Sequence, residues 1–257
     1  MKISIVTIVF NDKNNICKTI DSVALQTAQK EMEYIVVDGA STDGTSELIK
    51  QNMNHIDTYV CEKDKGIYDA MNKGLNRAMG DYVLFMNSGD KFTSNRVVEE
   101  VIQAISMAKE TPYLVYGDYR EVNNGFCSNT IPARHPQKIW YGPVCSHQSC
   151  FYNIEFLKRH RISYDTTYKI AADYKLTLEV IRCSKGNVLK LPLCISDFDI
   201  SGVSNANQNL GLNEANRARK EVLGWGMMKC GLLKLVLLMA RYVKRYFRPF
   251  YNILRSL

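Results

Sequence analysis

The sequence predicts an α/β domain built on an open, largely parallel sheet, followed by a basic helical extension. Three observations carry this. Ile3 to Phe10 (ISIVTIVF) and Tyr34 to Val37 are near-continuous β-branched and apolar runs, as strands covered on both faces require. Apolar residues then recur at helical spacing, first at Ile16, Ile20 and Val23 and again at Ile67, Met71, Leu75 and Ala78. From Arg217 onward ten Lys and Arg meet one acid, Glu221, a net +9; against +7 for all 257 residues, this leaves −2 for residues 1–216. The body is slightly acidic and the basicity belongs to the tail. A chain of this length, 46% hydrophobic and 23% charged, can bury a full core and would make one large domain or one domain plus an appendage.

In chain order, the strand ending at Phe10 is followed by a polar turn, Asn11 to Asn15, with helix-capping residues. A helix carries Ile16, Ile20 and Val23 to Leu25, and the strand Tyr34–Val37 completes a β-α-β unit, which implies a right-handed crossover. That strand ends in Asp38-Gly39-Ala40-Ser41-Thr42-Asp43-Gly44-Thr45, with a helix from about Ser46. His55 to Cys61 reads as a third strand. The helix through Ile67 and Ala78 stops at Gly80, and Tyr82 to Met86 is a buried strand ending at Asn87-Ser88-Gly89-Asp90. Val97 to Ala108 forms an amphipathic helix, and Tyr113 to Tyr116 a strand with a polar end at Gly117-Asp118. Asn123 to Pro143 is a long loop or hairpin, of a length that places it beside a functional site. His147 to Tyr152 re-enters the core as a strand. Asp173 opens a helix carrying Leu176 to Ile181, Val188 to Leu193 is the last strand, and Ser201 to Asn205 has the composition of a lid.

In open α/β sheets ligands bind outside the carboxyl ends of the strands, which singles out Asp38 and Asp90. Asp38 can accept from a ribose or base edge, or serve as an Asx turn or helix cap. Asp90 stands where a metal or phosphate ligand is expected. No GxGxxG follows the first strand and no GxxxxGK[ST] occurs, so dinucleotide and P-loop readings lack their motifs. The eight cysteines show no CxxC spacing. Cys145 and Cys150 flank His147, but no second half of a zinc set is evident, and buried reduced thiols are expected. MKISIVTIVFND turns polar too early for a signal peptide, which points to the cytoplasm.

In the tail, Lys229, Lys234 and Arg241 interrupt the apolar run, against a membrane-crossing helix. Lys234, Arg241, Arg245, Arg248 and Arg255 form a basic stripe, with Leu233, Leu237, Val243, Phe247 and Tyr251 mainly elsewhere, and Pro249 divides the helix. This describes a helix lying in an anionic membrane surface, or one docked on the protein's own core with a solvated basic face. No fold motif supports nucleic-acid binding.

ISIVTIVFND, YIVVDGASTDGT and EKDKGIYDAMNKGLNRAMGDYVLFMNSGD, in this order, resemble the family-2 glycosyltransferases of bacterial surface-polysaccharide synthesis. The resemblance covers about residues 1–205. It implies the GT-A fold, a Rossmann-like mixed sheet flanked by helices, over residues 1–210, with 211–257 as a membrane-associating helical segment. It further implies an inverting transfer from a nucleotide-diphospho-sugar to a hydroxyl of a lipid-linked or oligosaccharide acceptor, with Mn²⁺ or Mg²⁺, at the inner face of the cell membrane. Val9, Asn11 and Asp38 match nucleotide contacts, and Asp90 matches the last carboxylate of the family's DxD-type metal motif. Asp173, in AADYKL, matches the general base. Asn87 and Gly89 stand where the family often has acids, and Met71 where many members have Arg before Asn72. Lys65 and Asp69 are expected to replace those polar contacts and, with Asn72 and Ser88, complete the donor-binding set. The alternative is a nucleotide-sugar-binding protein whose thinned metal motif has impaired catalysis. A nucleotidyltransferase would need a basic Gly-rich loop after the first strand, which FNDKNN does not supply.

Overall fold

The computed structural model describes residues 1–123, 125–200 and 208–246. At its centre β1 (Ile3–Val9) is buried throughout and lies parallel between β2 (Met32–Asp38) and β4 (Tyr82–Phe85). β3 (Thr58–Cys61) extends this parallel half beyond β2. Residues of β1 alternate between two cores, as strand geometry demands. Ile3, Ile5 and Val9 join the core made with α1 (Ile16–Ala24), α2 (Thr45–Gln51) and α4 (Val97–Met107). Val6 and Ile8 join the core made with α3 (Ile67–Arg77), α5 (Ile154–His160) and α6 (Ala172–Cys183).

The second half of the sheet is mixed. β8 (Cys150–Asn153) runs antiparallel to β4 and to β6 (Leu114–Asn123), and β9 (Val188–Asp199) runs parallel to β6. β5 (Lys91–Phe92) closes the far edge on β9, and β7 (Phe126–Cys127) folds back on β6. The order is β3-β2-β1-β4-β8-β6-β9-β5. Gly117 marks a register shift between β6 and β9, and a Cβ there would meet the Leu193 carbonyl oxygen at 2.4 Å.

Several elements differ from their sequence expectation for local reasons. The third strand begins at Thr58 because Met53–His55 forms a 3₁₀ turn, and His147–Ser149 is likewise a 3₁₀ turn ahead of β8. β6 and β9 run past their apolar cores to Asn123 and Asp199 because their polar halves satisfy each other's backbone. α6 starts at Ala172, and α5, not anticipated, is capped by the Asn153 side chain accepting from the Phe156 N–H at 2.8 Å. The 123–143 stretch contributes β7, a bridge between Tyr119 and Ile131, and a 3₁₀ turn at Pro136–Lys138. All eight cysteines are free thiols; Cys145 and Cys150 are buried, as expected of that pair, and Cys230 is buried as well.

At the C-terminus, α7 (Gln208–Leu223) packs on α6, and α8 (Met227–Tyr246) packs on α7. Cys230 and Leu233 are buried, and the Lys234 ammonium donates to Asn213 Oδ1 at 2.8 Å. Docking on the chain's own body, one of the two expected arrangements, takes in Leu233 and, at the charged face, Lys234, while Met228 (91% exposed), Leu232 (65%), Leu235, Val236 and Met239 form an outward apolar stripe. Among the described residues no helix is long and apolar enough to cross a membrane. The side chains of Arg241, Val243 and Arg245, and all of Phe247, Arg248, Pro249, Tyr251 and Arg255, lie outside the description, as do the residues of the expected lid, Ser201 to Asn205.

Gly117→Ala forces the Leu193 carbonyl away and is expected to lower unfolding stability by roughly 1–3 kcal/mol in urea titrations; unchanged stability would show that β6 and β9 can separate freely there.

Candidate active site

The parallel register aligns the carboxyl ends of β1, β2 and β3, pairing Val9 with Asp38 and Asp38 with Cys61. The Val9 carbonyl accepts from the Gly39 N–H at 2.9 Å, which brings both chain exits together. Phe10 follows, 64% exposed, its ring against Gly39, where a Cβ would meet that ring at 3.1 Å and the Asp64 carboxylate at 2.8 Å. Asn11 adopts a left-handed φ of 50°, a conformation Asn tolerates. Its Oδ1 accepts from the Thr42 N–H at 2.8 Å and its own N–H donates to Ser41 Oγ at 2.8 Å, stitching the two exit loops together.

Asp38 is fully buried. Its Oδ1 accepts from the Ser41 N–H (2.9 Å) and hydroxyl (2.6 Å), and its Oδ2 from the hydroxyls of Ser46 and Tyr59. Burial alone would raise its proton affinity, but these donors outweigh it and hold the carboxyl below the usual range. Asp38 is thus a fixed anion that shapes the loop beside Val9.

Gly89 turns the chain after β4 with φ 94°, a conformation in which a side chain is strained, so the residue in the acid's place serves the turn. The Ser88 hydroxyl donates to Asp12 Oδ2 at 2.7 Å. Asp90 is 3% exposed rather than open at a strand end. Its Oδ1 accepts from the Asp199 N–H at 2.9 Å and its Oδ2 from the Gln148 amide at 2.7 Å. Desolvation, with Asp199 and Asp12 nearby, pushes its pKa up to about 8 despite those two bonds. Among the described residues no group of three or more His, Cys, Asp or Glu is set to hold a metal ion. The corner nevertheless suits a hard cation. Asn87 Oδ1, in the same turn, is buried without a hydrogen-bond partner among the described residues, and Mg²⁺ is commonly held by one or two carboxylates plus substrate phosphates.

At the start of α3 the Asp69 carboxylate accepts from the Lys65 N–H at 3.0 Å, a bond that holds it below the usual carboxylate range. The Lys65 side chain is exposed. Asn72 makes a reciprocal pair with the backbone of Tyr164, donating to its carbonyl at 2.8 Å and accepting from its N–H at 3.0 Å. The carboxamide therefore ties α3 to the segment leading towards α6.

Asp173 stands in the first turn of α6, where the Tyr174 N–H donates to its Oδ1 at 2.7 Å. Desolvation raises its pKa to about 6, with Glu214 adding like-charge repulsion and Tyr68 a hydrogen bond that opposes it. Asp173 lines a small cavity with Val144, Cys145, His147 and Tyr174. His147 is a satisfied structural histidine. Its ring nitrogens bond the hydroxyls of Tyr164 (2.8 Å) and Tyr152 (3.3 Å), and burial lowers its pKa to about 4.

Sequence reasoning missed Asp12, Gln148 and Asp199 around Asp90, and Glu214 beside Asp173. Asp12 lay in a turn already singled out; the other three come from distant segments and carry no local motif.

The family model described as glycosyl transferase family 2 matches residues 4–156. The chain belongs to glycosyl transferase family 2. This family-2 glycosyltransferase is 30% identical over 202 residues to an uncharacterized glycosyltransferase of Mycobacterium tuberculosis, covering 78% of this chain and 76% of that one. Its fold is the GT-A fold. It superposes on S. aureus TarS 1–349 in complex with UDP-GlcNAc with a TM-score of 0.68 at 18% identity, covering 96% of this chain and 73% of that one. The mannosyltransferase PcManGT of Pyrobaculum calidifontis, solved with GDP-Man and Mn²⁺, gives a TM-score of 0.68 at 16% identity, covering 88% and 65%.

Because burial depresses its pKa from 6.5 to about 4, the His147 ring should stay neutral from pH 8 to pH 5 in imidazole nitrogen NMR spectra. The sign for stability follows: the unfolded chain takes up this proton first, so the contribution holds above pH 6.5 and is lost as pH falls towards 4. A ring that titrates near 6.5 would contradict the desolvated, doubly bonded histidine.

Proposed function

We propose that this glycosyltransferase moves a sugar, with inversion, from a nucleotide-diphospho-sugar to a hydroxyl of a lipid-linked glycan acceptor in surface-polysaccharide synthesis. The observation that carries the reading is that Val9, Asp38 and the turn leading to Asp90 all follow from the carboxyl ends of adjacent parallel strands in a family-2 chain. The exposed Asn11 lines the base and ribose end on the loop that Val9 and the buried Asp38 shape, with the exposed Phe10 ring as a stacking surface. Lys65 meets the donor's phosphate or ribose. Asp69 and Asn72 act through the segments they tie down, and Ser88 through Asp12.

Asp90, with diphosphate oxygens, would hold Mn²⁺ or Mg²⁺, which supplies charge neutralisation for the leaving diphosphate. Asp173 takes the proton of the acceptor hydroxyl, whose oxygen forms the new bond to the anomeric carbon. The bond from that carbon to the diphosphate breaks on the opposite face, and its electron pair leaves with the nucleoside diphosphate. Positioned general-base catalysis of this kind contributes ~10²- to 10⁴-fold.

The outward apolar stripe of α8, Met228, Leu232, Leu235, Val236 and Met239, is proposed to rest in an anionic membrane surface on the cytoplasmic face, with the basic tail beside it. This concentrates the enzyme where a lipid-linked acceptor lies.

Nucleoside-diphosphate release from donors such as UDP-GlcNAc and GDP-mannose, with and without Mn²⁺, tests the reading. Asp173→Asn should keep donor binding and lose at least ~10²-fold in turnover. Since Asp173 must be ionised to accept a proton, wild-type turnover should rise with pH through a limb near 6, set by its surroundings of Tyr68, Tyr164, His147 and Glu214. Donor binding without any metal-dependent release would favour the impaired binding protein instead.

Leu232→Asp with Leu235→Asp should abolish co-sedimentation with phosphatidylglycerol vesicles while leaving the thermal melt in place; retained sedimentation would remove α8 as the membrane seat.

A further inference from the structure

Four charged residues of α7 reach back to the segments that flank Asp173, although α7 begins more than thirty residues later. The Glu214 carboxylate is buried and accepts three consecutive backbone N–H groups, from Lys169 (2.8 Å), Ile170 (2.9 Å) and Ala171 (2.9 Å), immediately before α6. Arg219 is 1% exposed. Its Nε donates to the Trp140 carbonyl at 2.7 Å and its Nη2 to the Tyr141 carbonyl at 3.1 Å, while Nη1 donates to Asn216 Oδ1 at 2.7 Å. Its guanidinium also lies over the Tyr174 ring, 5.3 Å from the centroid, and the Tyr174 hydroxyl donates to the Ile139 carbonyl at 2.8 Å. On the outer side Glu221 bonds Lys175 at 2.8 Å and the Tyr168 hydroxyl at 2.9 Å, and Arg217 covers the Tyr168 ring.

A buried carboxylate is an expensive way to close an ordinary surface turn. Here it receives three N–H donors in a row, so its charge is spent on fixing one backbone path. A buried Arg fork on two carbonyls does the same for the 140–141 segment. The first path runs directly into the helix turn that carries Asp173, and the second is tied through Ile139 and Arg219 to Tyr174, which lines the cavity with Asp173.

We propose that α7 is a clasp for the acceptor side of the active site, in which Glu214 and Arg219 are positioning residues that hold the Asp173 segment and the 139–141 segment in fixed relation. The inference rests on the reading of Asp173 as general base. Glu214 acts on Asp173 twice, by fixing its backbone and by placing a second negative charge near it. Tyr68, Tyr164 and His147 face Asp173 from the other elements and are unchanged by the substitution.

The test uses the full chain and nucleoside-diphosphate release in Mn²⁺, with Glu214→Gln and Arg219→Lys. Both variants are expected to lose about 10-fold or more in kcat with donor KM within about twofold, the pattern of an interaction that serves the transition state rather than donor binding. In Glu214→Gln the acid limb of the pH profile should move to lower pH, because a like charge has been removed, and the amides of Lys169 to Ala171 should exchange faster with deuterium. Arg219→Lys should leave the limb in place. Wild-type kcat with an unmoved limb would overturn the clasp. So would a parallel collapse of donor binding and kcat, which would make α7 a general stabiliser. Asp173→Asn at wild-type turnover would instead sink the base assignment itself, so the two failures are distinguishable.

Discussion

The parallel pairing of β1 with β2 on one side and β4 on the other is the constraint on which the donor side depends. β1 is buried on both faces, so its polar groups must be satisfied inside the sheet. Thr7 is the clearest case. Its hydroxyl donates to the Met86 carbonyl at 2.7 Å and, having one proton, accepts from the Tyr34 hydroxyl at 2.9 Å. One buried side chain thereby fastens the strand before Asp38 and the strand before Asp90 to the same central strand. A one-residue slip of β1 would exchange its two apolar faces and break this link, so the packing that stabilises the sheet also sets the spacing of the site.

Asp38, Asp90 and Asp173 show how surroundings assign different chemistry to one side chain. Asp38 is buried among hydroxyl donors and stays ionised. Asp90 has only two donors, and desolvation with neighbouring acids pushes its pKa up to about 8. Asp173 lies between them, raised to about 6, which keeps it ionised near neutrality while leaving it basic enough to accept a proton.

The parallel half of the sheet was legible in the sequence because doubly buried strands leave continuous β-branched runs and their helices leave a clear period. In the mixed half the apolar stretches of β6, β8 and β9 were legible, but not how far β6 and β9 run or what they pair with. β6 and β9 carry polar residues along much of their length and are strands because they pair with each other, an interaction no local window contains. The same divide runs through the site. Asp38, Asp90 and Asp173 could be singled out from motifs, whereas Gln148, Asp199 and Glu214 act through contacts spanning 58, 109 and 43–45 residues. In the tail, periodicity identified a helix with polar and apolar faces, but the face that docks depends on α7. Leu233 is consumed in that docking and Leu232 is left outside.

The family match ends at residue 156, ahead of Asp173, Glu214 and Arg219. The groups proposed to meet the nucleotide and the diphosphate, from Val9 to Asp90, fall within it, while Asp173, Glu214 and Arg219 fall beyond it. A nucleoside diphosphate presents similar chemistry whatever sugar it carries, so a sheet edge of fixed register suits it. An acceptor hydroxyl arrives on a molecule of variable shape, and the wall that meets it can vary only if it is built separately from that sheet. The proposed acceptor wall is made of segments outside the regular elements, 139–141 and 165–171. Buried ionic side chains from α7 supply the definition that strand pairing provides on the donor side, and they do so without committing the backbone to a sheet.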